Sequence, residues 1–142
     1  MLPALNLKLV TPSNVSPTEG QLADALRAAG LAVEAQWPVG PYNLDLAFPS
    51  ARVAVEVFGG QWHLTGTHAL RLGKRHEHLI GAGWRVVYVW CTTGHPLTAA
   101  GAENLVSMVK IFCGDPSTGG KYRVIWGDAK GTPSAKYDPN QI

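Results

Sequence analysis

The chain has 142 residues, 15.2 kDa, room for one domain and little more. With 46% hydrophobic and 15% charged residues it can bury a core, which excludes global disorder. A formal charge of +2 excludes an overall basic field, so any nucleic-acid-binding surface must be local, and two isolated cysteines make neither a zinc framework nor a disulfide scaffold.

The start lacks a basic stretch followed by an apolar one, so no signal peptide is expected. The apolar runs fall far short of the roughly 20 residues a membrane helix needs. A cytoplasmic protein in a reducing compartment, with no membrane partner, is the expectation.

Residues 1–15 read as an irregular arm. Ser16, Pro17 and Glu19 then form a capping box, with Ser at the N-cap and Glu three residues on. Leu22, Ala25, Leu26 and Ala29 share one face of the helix that follows, and Gly30 stops it. Three β segments come next: Leu31–Val39, Tyr42–Phe48 and Val53–Phe58. In the second, alternation sets Tyr42, Leu44, Leu46 and Phe48 on one face and Asn43, Asp45 and Ala47 on the other. In the third, Val53, Val55 and Val57 oppose Ala54, Glu56 and Phe58.

After a glycine-rich bend, a helix is predicted from about Thr67 to Ala82, with Leu72, His76, Leu79 and Ile80 as its inner stripe. Arg71, Lys74, Arg75 and His78 take much of its other side. Trp84–Trp90 is the clearest strand, and Leu97–Phe112 reads as a helix weakened by Gly101. Residues 113–142 hold eight Gly and Pro residues, so only Tyr122–Trp126 reads as a strand there. The organisation expected is an arm (1–15), a domain (16–113) and an extension (114–142). Its tail would be ordered only against a groove or a neighbouring subunit. Strands joined through crossover helices imply a mixed sheet with helices on its faces.

Asp45 and Glu56 stand mid-strand in consecutive β segments joined by a short turn. Asp is disfavoured in mid-strand, and a Glu inside Val-Ala-Val-Glu-Val-Phe is costly to bury alone. Antiparallel pairing brings the two carboxylates together, where they repel unless a cation or a shared proton compensates. Oxygen-only ligation favours Mg²⁺ or Mn²⁺, which can activate water beside a phosphate. His63 follows the bend and suits a general base, and Trp62 offers a flat face for a nucleic-acid base. His68 stands either as a third active-site group or as a surface residue. Glu19 is fully explained as a cap, and a second role at the site is compatible with that.

These residues match a known pattern. Asn43-Leu44-Asp45, Val55-Glu56-Val57-Phe58-Gly59-Gly60-Gln61-Trp62-His63, a basic helix and Gly83-Trp84-Arg85-Val86 in a strand together resemble the very-short-patch-repair-like endonucleases. Those belong to the PD-(D/E)XK nuclease superfamily. The resemblance covers roughly Ser16 to Cys91. It implies a restriction-endonuclease-like α-β-β-β-α-β core and a DNA endonuclease that hydrolyses or nicks phosphodiester bonds with Mg²⁺ or Mn²⁺. It implies Asp45 and Glu56 as metal ligands, His63 as the group assisting water, and Glu19 as a further acid at the metal. Arg75, or its neighbour Arg71, would sit where related proteins place a basic residue facing phosphate. Read from the residues themselves, Lys74 on the same helix side and Trp62 join them as candidate nucleic-acid contacts.

Phe58 stands where the motif carries Lys, so His63, Lys74 or Arg75 would have to supply that function. The cysteines of the repair enzymes' zinc site are missing near the bend, so no zinc is expected. The alternative is a catalytically inactive nuclease-fold subunit that binds nucleic acid within a larger assembly; a third reading is an interaction protein that docks a partner through the aromatic tail, Tyr122 to Tyr137. The partners expected are DNA and, through the tail, a homo-oligomer or a larger protein assembly.

Overall fold

The computed structural model describes residues 17–59, 66–117 and 119–141. The arm, Ser16 of the capping box, Trp62 and His63 lie outside the described residues.

The chain runs α1 (Pro17–Ala28), β1 (Glu34–Val39), β2 (Tyr42–Phe48), β3 (Val53–Phe58), α2 (Gly66–Gly81), β4 (Arg85–Trp90), α3 (Ala99–Gly114) and β5 (Tyr122–Trp126). A 3₁₀ turn, Ala135–Tyr137, follows. The five strands form one mixed sheet in the order β1-β2-β3-β4-β5. The β1-β2-β3 part is antiparallel, and β3, β4 and β5 run parallel. The expected α-β-β-β-α-β order and the mixed sheet flanked by helices are present. Pro38 is tolerated because β1 is an edge strand.

Each face of the sheet has its own core. Leu22, Ala25 and Leu26 of α1 and Leu105, Val109 and Phe112 of α3 pack with Val53, Val55 and Val87. On the opposite face, Leu72 and Leu79 of α2 pack with Ala54, Phe58, Val86 and Tyr88. The predicted inner stripe of α2 is the buried one, and its His76 meets the Tyr88 hydroxyl through Nδ1 at 2.7 Å. Burial lowers the His76 pKa, which keeps the ring neutral. Cys91 and Cys113 are half-buried against the α1–α3 core, and burial pushes both thiols up.

Two features depart from the sequence reading. The alternation in β2 breaks at Asp45: Leu46 and Phe48 join the α1–α3 core, but Leu44 joins the α2 core with Ala47. On the facing edge strand, Gln36 takes a left-handed φ of 52°. Gly101 is a packing device rather than a weakness. A Cβ there would lie 1.6 Å from the Gly127 carbonyl oxygen, so glycine lets the first turn of α3 sit against the loop after β5.

The C-terminal segment closes on its own chain. Tyr137 is buried, with its ring edge-on to Trp90 at 5.3 Å and to Trp126 at 4.7 Å. The Trp90 indole N–H donates to the Tyr137 carbonyl at 2.9 Å. The tail therefore finds its groove on the α2 side of the sheet, and its order needs no second subunit.

Candidate active site where the β2–β3 ladder ends

Strands β2 and β3 pair from Phe48–Val53 to Leu46–Val55 and no further. Beyond that point two side chains replace the ladder. The Asp45 N–H donates to Glu56 Oε2 at 3.0 Å, and the Val57 N–H donates to Asp45 Oδ2 at 2.8 Å. Each carboxylate thus occupies the gap between the strands and satisfies a backbone donor that an ordinary pair would have used. The two acids expected to converge do so here.

Arg75 reaches this gap from α2. Its Nε donates to Glu56 Oε1 at 2.5 Å and its Nη2 to the Asn43 carbonyl at 2.5 Å. The guanidinium also lies over the Tyr42 ring, 5.3 Å from its centroid. A forked cation can span both strands at once; an ammonium cannot. Glu56 is 1% exposed, and Arg75 is its salt-bridge partner.

Among the described residues, Asp45 has no such ion pair of its own. Its pKa is pushed up to about 8, first by burial and then by the charges of Glu56 and Glu19. The Val57 N–H and Arg75 oppose that rise without cancelling it. Glu19, buried on the first turn of α1, therefore belongs to the electrostatics of the site as well as to its helix.

A cleft of about 760 Å³ opens over these groups. Glu19, Asp45, Glu56, Arg71, Lys74 and Arg75 all line it, so six of the eight sequence-derived site residues meet in one place. Trp62 and His63 are the other two and lie outside the described residues. Arg71 and Lys74 are exposed at the rim, while Arg75 is half-buried and engaged. Phe58, in the Lys position of the motif, turns into the α2 core and packs on Tyr88 and Trp90 at 5.8 and 4.5 Å between ring centroids. The sequence reading missed Tyr42 and Cys91 as cleft residues and left His68 open; His68 lines the cleft from an exposed position. Among the described residues, no three His, Cys, Asp or Glu side chains are grouped to hold a metal ion.

No helix among the described residues is long and apolar enough to cross a membrane. No family model matches the chain. A stretch of 55 residues is 46% identical to a protein of Escherichia coli (strain K12) named "Uncharacterized protein YcjD". The match covers 39% of this chain and 44% of that protein, so the chain is similar to less than half of this relative.

Proposed function

We propose that the cleft hydrolyses phosphodiester bonds of DNA, as a metal-dependent endonuclease of the PD-(D/E)XK type. The observation that carries this reading is the acid pair at the ladder's end, with Asp45 held up to about 8 by burial, Glu56 and Glu19. A structural pair would be neutralised on both sides; among the described residues Arg75 bonds Glu56 and only partly offsets the charge on Asp45.

The donor set fits Mg²⁺ or Mn²⁺. The donors are oxygens, and Mg²⁺ is commonly held by one or two carboxylates with waters and substrate phosphates completing its shell. Asp45 and Glu56 would hold the ion, which supplies an activated water and neutralises charge on the phosphate. Arg75 fixes the Glu56 carboxylate from behind, through Oε1. Arg71 and Lys74, exposed at the rim, attract the phosphate backbone. His63 and Trp62 enter this proposal from the sequence alone, as the group that takes the water's proton and as a stacking face.

Two observations favour a second reading, a nuclease-fold module that binds nucleic acid without cutting it. Phe58 leaves the motif's Lys position without a cation, and Arg75 gives Glu56 an internal counter-ion.

Nicking of supercoiled plasmid by the full chain separates the two. With Mg²⁺ or Mn²⁺ the wild type should convert plasmid to the open circle, and chelator should stop it. Asp45→Ala and Glu56→Ala should each slow conversion by at least about 100-fold, as removal of one transition-state stabiliser does. Nicking that survives both substitutions overturns the nuclease reading. Plasmid binding without nicking favours the second.

A further inference from the structure

A second cavity, of about 340 Å³, lies beside the first, and Gly59 lines both. It is built at the carboxyl ends of the three parallel strands: Gly59 follows β3, Thr92, Thr93 and His95 follow β4, and Trp126 ends β5. Open α/β sheets bind ligands at that edge. Neither the acid pair nor the basic rim uses it.

His95 is the organised group in this cavity. Its ring stacks on Trp126, 3.9 Å between centroids and 6° from parallel. Its Nδ1 lies 3.0 Å from Oδ1 of Asp128, which is 6% exposed and also accepts the Lys130 N–H. A buried carboxylate on one nitrogen and an indole on one face fix the ring's position and tautomer. The side chain is still 31% exposed, and with Nδ1 engaged by Asp128, Nε2 is the nitrogen left for a ligand.

A ring held only for packing would not need its orientation fixed this way at a solvent-facing cavity. The lining is rich in donors. The Thr92 hydroxyl accepts from the His95 N–H at 3.2 Å, which leaves its own proton to donate, and Thr93 adds a second hydroxyl. No Asp or Glu is among the described lining residues, and there one imidazole without other ligands does not make a metal site. Hydroxyl donors and an imidazole that becomes a double donor when charged suit an oxyanion.

We infer that this cavity is a second phosphate subsite, taking a backbone phosphate of the same DNA whose scissile phosphate lies over Asp45 and Glu56. His95, when charged, donates from Nε2 to the phosphate while Nδ1–H stays on Asp128, so Asp128 is a positioning residue. The inference rests on the nuclease reading and extends the DNA track across Gly59.

The test uses the full chain, a short fluorescein-labelled DNA duplex in chelator, and fluorescence anisotropy across a salt series, with plasmid nicking in parallel. His95→Ala should weaken duplex binding about tenfold, equivalent to about 1.4 kcal/mol, and reduce the salt slope by about one. His95→Gln should weaken it less, and serves as the readout if the alanine variant melts early. In the imidazole ¹H–¹⁵N spectrum, the duplex should shift the His95 Nε2 signal. Asp128→Asn should change that ring's tautomer signature in the free protein and also weaken duplex binding, and the loss of affinity is the effect a merely structural role would leave alone. Inorganic phosphate at equal total phosphate should move the signal less; an equal response overturns the assignment to nucleic acid. If the wild type binds and nicks but both His95 variants keep its affinity and salt slope, the subsite is wrong and the nuclease reading stands. If His95→Ala loses affinity while the wild type never nicks, the nuclease reading falls and what stands is a phosphate contact of a module that binds DNA without cutting it. A wild type that binds no duplex removes both.

Discussion

Arg75→Ala should lower the unfolding free energy by about 3–5 kcal/mol, the usual cost of stranding a buried charge by removing its partner. Three observations set that expectation. Glu56 is 1% exposed, its Oε1 is 2.5 Å from Arg75 Nε, and its Oε2 is already committed to the Asp45 N–H. Without the guanidinium, the carboxylate must stay charged beside Asp45 or take up a proton. The Asn43 carbonyl loses its donor as well. Urea unfolding at neutral pH should show a lower midpoint with an unchanged m value. Adding Glu56→Gln to Arg75→Ala should recover much of the loss, because it removes the stranded charge. Arg75→Lys should fall between, since an ammonium cannot serve Glu56 and Asn43 together. A loss under about 1 kcal/mol would place Arg75 among ordinary surface pairs and contradict its role as the counter-ion of Glu56.

Asp45→Asn should stabilise the protein at alkaline pH, and the gain should vanish toward acid. The sign follows from the direction of the shift. An unfolded aspartate ionises near 3.8, whereas Asp45 in the fold ionises near 8. Between those values the folded chain holds a proton that the unfolded chain has released. Wild-type stability therefore falls as pH rises through that window, with a limiting slope of about 1.4 kcal/mol per pH unit for one proton. Above about 8 both states are ionised and the penalty is constant. Asparagine carries no charge to repel Glu56 and Glu19, and its side-chain oxygen can still accept the Val57 N–H. The lowered His76 pKa acts in the opposite sense, adding stability as pH rises toward 6.5. It does so in both proteins, so the difference between their stability curves isolates Asp45. A difference independent of pH would show that Asp45 does not carry this strain. On the nuclease reading, a site that stabilises the fold when its acid is neutralised exchanges stability for function.

Much of this site is legible in the chain, for a physical reason. Asp45 and Glu56 stand out because acids are unfavourable in apolar strands, and strict alternation fixes β2 and β3 to the residue. The same alternation misplaces Leu44, because a period of two assumes an unbroken ladder and this one stops at Leu46–Val55. The tie between Arg75 and Glu56 was not legible. It depends on where α2 crosses the sheet, and by pattern Arg75 looks like any residue on a solvated helix face. The same holds for His95 and Asp128, 33 residues apart in two loops that meet only when β4 and β5 align. Gly101 reads locally as a poor helix former; its reason, the Gly127 carbonyl, lies elsewhere in the chain. Tyr137 sits in a segment rich in Gly and Pro, where composition suggests a loose tail, and is held by Trp90 and Trp126.

Calorimetric titration of Mn²⁺ into the metal-free full chain is the most direct measurement of whether the acid pair is a cation site. The wild type should bind one equivalent and release protons at neutral pH, since Asp45 must ionise to ligate. Asp45→Asn and Glu56→Gln should each abolish that binding while melting cooperatively. No binding by the wild type, or the same binding in both variants, would contradict the account.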